Sequence, residues 1–112
     1  MRLIIYGLGA IGGTVAAGLT RAGREVIGIA RGARLAALRE GGLRFRTPLL
    51  EDRIRLPLVE DPAEIAFRPG DAVMLAMKTQ AVAPALDRLR AAGWSDGPIF
   101  CALNGIASER MA

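Results

Sequence analysis

Four short apolar runs punctuate the chain: Leu3-Ile4-Ile5-Tyr6, Val26-Ile27-Gly28-Ile29-Ala30, Ala72-Val73-Met74-Leu75-Ala76 and Ile99-Phe100-Cys101-Ala102-Leu103. None alternates with polar residues, which is the pattern of strands covered on both faces of a parallel sheet. Between them the spacing turns helical. Ile11, Val15 and Leu19 recur at helical spacing, with Ala16 and Ala22 beside them and Gly23 where a C-cap would stand. Leu35 and Leu38 mark a shorter helix ending at Gly41-Gly42, and Val82, Leu86 and Leu89 mark a third, closed by Gly93. Strands alternating with helices predict βαβ units, hence an α/β fold with a doubly wound, mainly parallel sheet.

Residues 43–58 break that rhythm. Leu43-Arg44-Phe45-Arg46 and Ile54-Arg55-Leu56 alternate apolar and basic, with Pro48 to Asp52 between them. This predicts an antiparallel hairpin with one wet face, inserted before the third parallel strand. Asp61-Pro62 and Arg68-Pro69-Gly70-Asp71 read as turns. No repeat or linker interrupts the pattern, so residues 1–112 are expected to form one domain.

Between the first strand and the first helix stands Gly7-Leu8-Gly9-Ala10-Ile11-Gly12, a G-x-G-x-x-G turn. Gly7 permits the tight turn, Gly9 lets a pyrophosphate approach the backbone, and Gly12 lets the helix pack close to the sheet. The helix N-terminus offers N–H groups and the positive end of its dipole to that anion. The fold expected is therefore Rossmann-like, with a dinucleotide ligand. The second strand ends Ile29-Ala30-Arg31, without the Asp or Glu that would take a ribose 2′-hydroxyl. Arg31 falls where the ribose-reading residue belongs, and a guanidinium there suits a 2′-phosphate. NADP is thus favoured, with Arg34 able to assist from the next helix.

Ligands of doubly wound sheets sit at the carboxyl ends of the strands. The third parallel strand ends at Met77-Lys78-Thr79-Gln80, where Lys78 is the single lysine among fifteen basic residues. Its ammonium could serve the ribose or a substrate carboxylate, or it could be an accidental charge at a helix start. Thr79 fits the helix N-cap. The fourth ends at Leu103-Asn104-Gly105, read either as a turn dipeptide or as an amide set beside the nicotinamide. Cys101 is expected to be a small buried hydrophobe, and Trp94 a packing residue.

Composition narrows the chemistry. At 52% hydrophobic and 23% charged, the chain is globular rather than disordered. One cysteine and no histidine exclude a disulfide framework, a zinc site of Cys and His, and His-dependent triads. The net charge of +4 comes from scattered arginines with no block of like charge, which predicts no nucleic-acid partner. The uncharged stretch from Leu3 to Thr20 is broken by glycines. It fits neither a secretory core nor a membrane span, and a cytoplasmic protein is expected.

Together these residues resemble the N-terminal half of the ketopantoate reductase (2-dehydropantoate 2-reductase) family. The resemblance rests on Gly7-Leu8-Gly9-Ala10-Ile11-Gly12-Gly13, Ala30-Arg31-Gly32, Met77-Lys78-Thr79-Gln80, and Asn104-Gly105 with Glu109 following. It implies that residues 7–12 hold the pyrophosphate of NADPH and that Arg31 holds its 2′-phosphate. Lys78 and Asn104 would stand at the nicotinamide end, Asn104 also near a 2-keto acid substrate such as ketopantoate, on the route to pantothenate. The family's enzymes add a helical C-terminal domain that supplies the general-acid lysine. This sequence ends at Ala112, so no catalytic residue is expected on the chain, which should bind better than it reacts. An apolar surface near residues 98–112 is expected to favour self-association or a partner. A stand-alone, non-catalytic NADP(H)-binding or docking module is the competing reading.

Overall fold

The computed structural model describes residues 2–94 and 97–101. Five parallel strands form the main sheet: β1 (Leu3–Tyr6), β2 (Val26–Ile29), β5 (Leu58–Val59), β6 (Ala72–Leu75) and β7 (Ile99–Cys101), in the order β5-β2-β1-β6-β7. Helix α1 (Ala10–Arg21) crosses from β1 to β2, α2 (Gly32–Gly41) follows β2, and α3 (Thr79–Ala91) crosses from β6 to β7. A separate antiparallel pair, β3 (Leu43–Thr47) and β4 (Leu50–Ile54), stands between α2 and β5. The α/β, doubly wound expectation and its inserted hairpin are what the chain forms.

The unbroken apolar runs are explained by two cores, one on each face of the sheet. Ile5 and Met74 point into one face with Ala16, Ala17, Leu35, Leu38, Leu43 and Ile54. Their neighbours Ile4, Val73 and Leu75 point into the other with Ala85, Leu89 and Trp94. At the end of α3, Gly93 donates to the Arg90 carbonyl and Trp94 to that of Leu89, a helix-ending motif that folds Trp94 back onto Leu89 and against the Phe67 ring. Asp71 closes the base of β6. Its carboxylate takes Nε and Nη2 of Arg2 at 2.9 and 2.6 Å and the main-chain N–H of Arg68 at 3.0 Å.

Four expectations change. The hairpin turns at Pro48-Leu49, so its second arm is 50–54 and not 54–56. That register sets Leu43 opposite Ile54, both buried, and leaves 58–59 to extend the main sheet beyond β2. On α1 it is Gly12, Gly13, Ala16 and Ala17 that face the sheet, while Ile11 is exposed. A helix lying this close accommodates only small residues, and the longer side chains flank the contact. Lys78, not Thr79, occupies the N-cap position of α3. Cys101 is exposed, as are Ile99 and Phe100, because among the described residues β7 pairs only with β6 and takes the rim of the sheet.

Candidate nucleotide site

The carboxyl ends of β1, β2 and β6 open together on a cleft of about 390 Å³. The strand order reverses there, at β1, which is where doubly wound sheets hold their ligands. Gly7, Leu8 and Gly9 line it from the turn, Ile29, Ala30 and Arg31 from β2 and its extension, and Met77, Ala81, Pro84, Ala85 and Arg88 from α3 and its approach.

The glycine turn is fixed by contact. A Cβ on Gly7, whose φ is +108°, would collide with the Ala76 carbonyl oxygen. One on Gly12 would overlap the Gly7 oxygen and stand 2.9 Å from the Ala76 Cβ. Around Gly9, by contrast, a Cβ would meet nothing within 4 Å. The turn is therefore tight against the protein and open toward the cleft. Gly9 is the N-cap of α1 and its oxygen receives the first intrahelical bond, from Gly13 at 2.8 Å. No side chain caps this end and no acidic residue lies in its first turn, so the N–H groups of residues 10–12 and the helix dipole can serve an anion.

Charge at the cleft comes from three arginines. Arg31 is the N-cap of α2 and is exposed at the tip of β2. Arg34, one turn on, donates from Nε to the Leu8 carbonyl at 2.8 Å and ties α2 to the glycine turn. Arg88 reaches in from α3 toward Tyr6. Burial pushes the Tyr6 phenol above its ordinary value, against the opposing pull of the Arg88 and Arg31 charges and a hydrogen bond with Arg88.

Of the residues singled out in the sequence, Gly7, Leu8, Gly9 and Arg31 meet in the cleft, and Ala10, Ile11 and Gly12 form the helix turn beside it. The Leu8 side chain is buried in the core. Lys78 is exposed at the start of α3 and outside the lining, although its neighbour Met77 belongs to it. Asn104 lies outside the described residues. Sequence reasoning passed over Tyr6 and Arg88. The signal was available: Ala81, Pro84, Ala85 and Arg88 are spaced to share one face of α3. Among the described residues no group of His, Cys, Asp or Glu is placed to hold a metal, and no helix is long and apolar enough to cross a membrane.

The profile of the family described as "Ketopantoate reductase PanE/ApbA" matches residues 3–112. A 2-dehydropantoate 2-reductase of Mesorhizobium japonicum is 39% identical over 90 residues, which cover 80% of this chain and 27% of the relative. Among solved structures, 2-dehydropantoate 2-reductase from Porphyromonas gingivalis W83 superposes with a TM-score of 0.74 at 31% identity, over 99% of this chain and 41% of that one. A D-mandelate dehydrogenase solved with NADH and anilino(oxo)acetate superposes at 0.78 with 28% identity, over 99% of this chain and 36% of its own. The chain thus spans about a quarter of the length of the curated relative it matches.

Proposed function

The chain belongs to the ketopantoate reductase PanE/ApbA family, and on that premise we propose that it is the NADP(H)-binding part of an oxidoreductase acting on a 2-keto acid such as 2-dehydropantoate. The single observation that carries the cofactor assignment is Arg31. It stands at the tip of β2 where a carboxylate would otherwise read the ribose, on the rim of a cleft whose wall includes an uncapped helix N-terminus.

The residues fit such a group. The open side of Gly9 admits a diphosphate to the main chain, and the first turn of α1 supplies donors without an internal anion competing for them. Ile29, Ala30, Ala81 and Pro84 offer an apolar slot for a flat base. Arg31 supplies a planar fork for a 2′-phosphate, and Arg34 holds the α2 start against the turn. When bound, the nicotinamide would supply hydride; this chain's own residues bind and orient the adenosine and diphosphate. Lys78 and Asn104 are proposed for the nicotinamide end, with Asn104 also near the substrate.

The related D-mandelate dehydrogenase is solved with NADH, so the cofactor choice rests on local chemistry and is open to direct test. In a fluorescence titration the chain should bind NADPH about tenfold or more tightly than NADH, the scale of one or two charge-assisted hydrogen bonds. Arg31→Asp should erase that preference. Equal affinities for the two nucleotides in the unaltered chain would overturn the assignment.

A further inference from the structure

The hairpin sets two like charges face to face. Its register places Arg44 directly opposite Arg53, an arrangement that destabilises an antiparallel pair. Local carboxylates offset part of this: Arg44 Nε lies 3.3 Å from Glu51, and the Arg53 main-chain N–H donates to Asp52. Among the described residues, however, no carboxylate pairs with the Arg53 guanidinium. The two arginines cannot readily move apart as strands. Leu43 and Ile54 bury one face of the hairpin, and Arg55 fastens it to α2 by donating from Nη1 and Nη2 to the carbonyls of Arg39 and Glu40 at 3.1 and 3.0 Å.

These two arginines wall a cavity of about 470 Å³ between α1, α2 and the hairpin, and Arg34 enters it from α2. Among the described residues its lining includes no Asp or Glu. Arg34, held to Leu8 by its Nε, and Gly9 line both this cavity and the nucleotide cleft, so the two adjoin. Its Nη2 lies over the first turn of α1, 3.7 Å from where a Gly13 Cβ would be. Three arginines, one from α2 and one from each strand of the hairpin, thus line one concave space. Guanidinium forks held this way match a tetrahedral oxyanion, which accepts several charge-assisted hydrogen bonds at once and offsets the mutual repulsion.

We infer that this cavity is a second anion site, adjoining the nucleotide cleft, taking the phosphate of a small solute: inorganic phosphate or a phosphomonoester. The inference stands independently of the cofactor assignment.

The test is calorimetric titration of the full chain with inorganic phosphate at constant ionic strength, with thermal melts alongside. Arg53→Gln and Arg44→Gln should each weaken phosphate binding about tenfold, the loss of one charge-assisted hydrogen bond. Arg90→Gln, the same charge change on the exposed face of α3, should leave it unchanged. In phosphate-free buffer Arg53→Gln should melt no lower than the unaltered chain, because it removes the opposed charge. Phosphate affinity unchanged in both hairpin variants overturns the inference. So does its loss on Arg31→Gln with the hairpin variants unaffected, which would locate the anion in the nucleotide cleft.

Discussion

Arg34 donates from Nε to the main-chain oxygen of Leu8 at 2.8 Å, so one side chain joins the start of α2 to the middle of the glycine turn. The bond fixes the opening of the cleft as well as adding charge to it. Arg34→Met should therefore weaken NADPH and NADH alike, by roughly tenfold for a lost charged hydrogen bond. Arg31→Met should weaken NADPH selectively. Parallel titrations of both variants with both nucleotides check this; a selective loss in Arg34→Met would show that it reads the 2′-phosphate itself.

Two glycines of the same turn should fail in opposite ways. Gly12→Ala drives a methyl into the Gly7 oxygen and the Ala76 side chain. It should cost about 1–3 kcal/mol of stability, the usual scale of overpacking, and lower the melting temperature by several degrees or more. Gly9→Ala places its methyl in open space at an extended backbone. It should melt like the unaltered chain and lose nucleotide affinity, because the methyl occupies the ligand's approach. Melts and titrations of the pair separate the two roles.

Asp71 should dominate the acid limb of stability. Burial pushes its carboxyl up, but hydrogen bonds from Arg2 and the Arg68 main chain and the charges of both arginines outweigh it and hold the group below its ordinary value. The native carboxyl binds its proton more weakly than the unfolded one. Its contribution is therefore complete above about pH 4 and is lost as pH falls through the lower native value. Asp71→Ala, which strands Arg2, should cost about 3 kcal/mol at neutral pH. It should also flatten the pH dependence in the acid range. Denaturant melts between pH 3 and 7 would reveal a persistent acid limb if another carboxylate is responsible.

The Tyr6 phenol offers a direct optical readout of the cleft, since it is the chain's one tyrosine. Alkaline titration of its absorbance should show it ionising above the ordinary value near 10, with burial as the cause and Arg88 and Arg31 opposing it. Arg88→Met removes the stronger of the two opposing charge effects and the hydrogen bond, and should push the transition higher still. An unchanged or lower transition in that variant would mean that Arg88 does not face the phenol in solution.

The sequence by itself determined the layers and the first half of the site. Apolar runs without alternation, set between helical patterns, point to the strands of a parallel sheet, and G-x-G-x-x-G between a strand and a helix specifies a turn that larger residues at Gly7 and Gly12 cannot make. Arg31 was placed because its position is counted along the chain from that turn. Tertiary structure alone decided what depends on distance between segments. Arg88 reaches Tyr6 only once α3 lies across β1, and Asp71 becomes a buried staple only when Arg2 is beside it. The hairpin register brings Arg44 opposite Arg53, a relation that alternation leaves free by one or two residues. Even the exposure of Cys101 is a matter of strand order: an apolar run reads the same in sequence whether it lies at the centre of a sheet or at its rim.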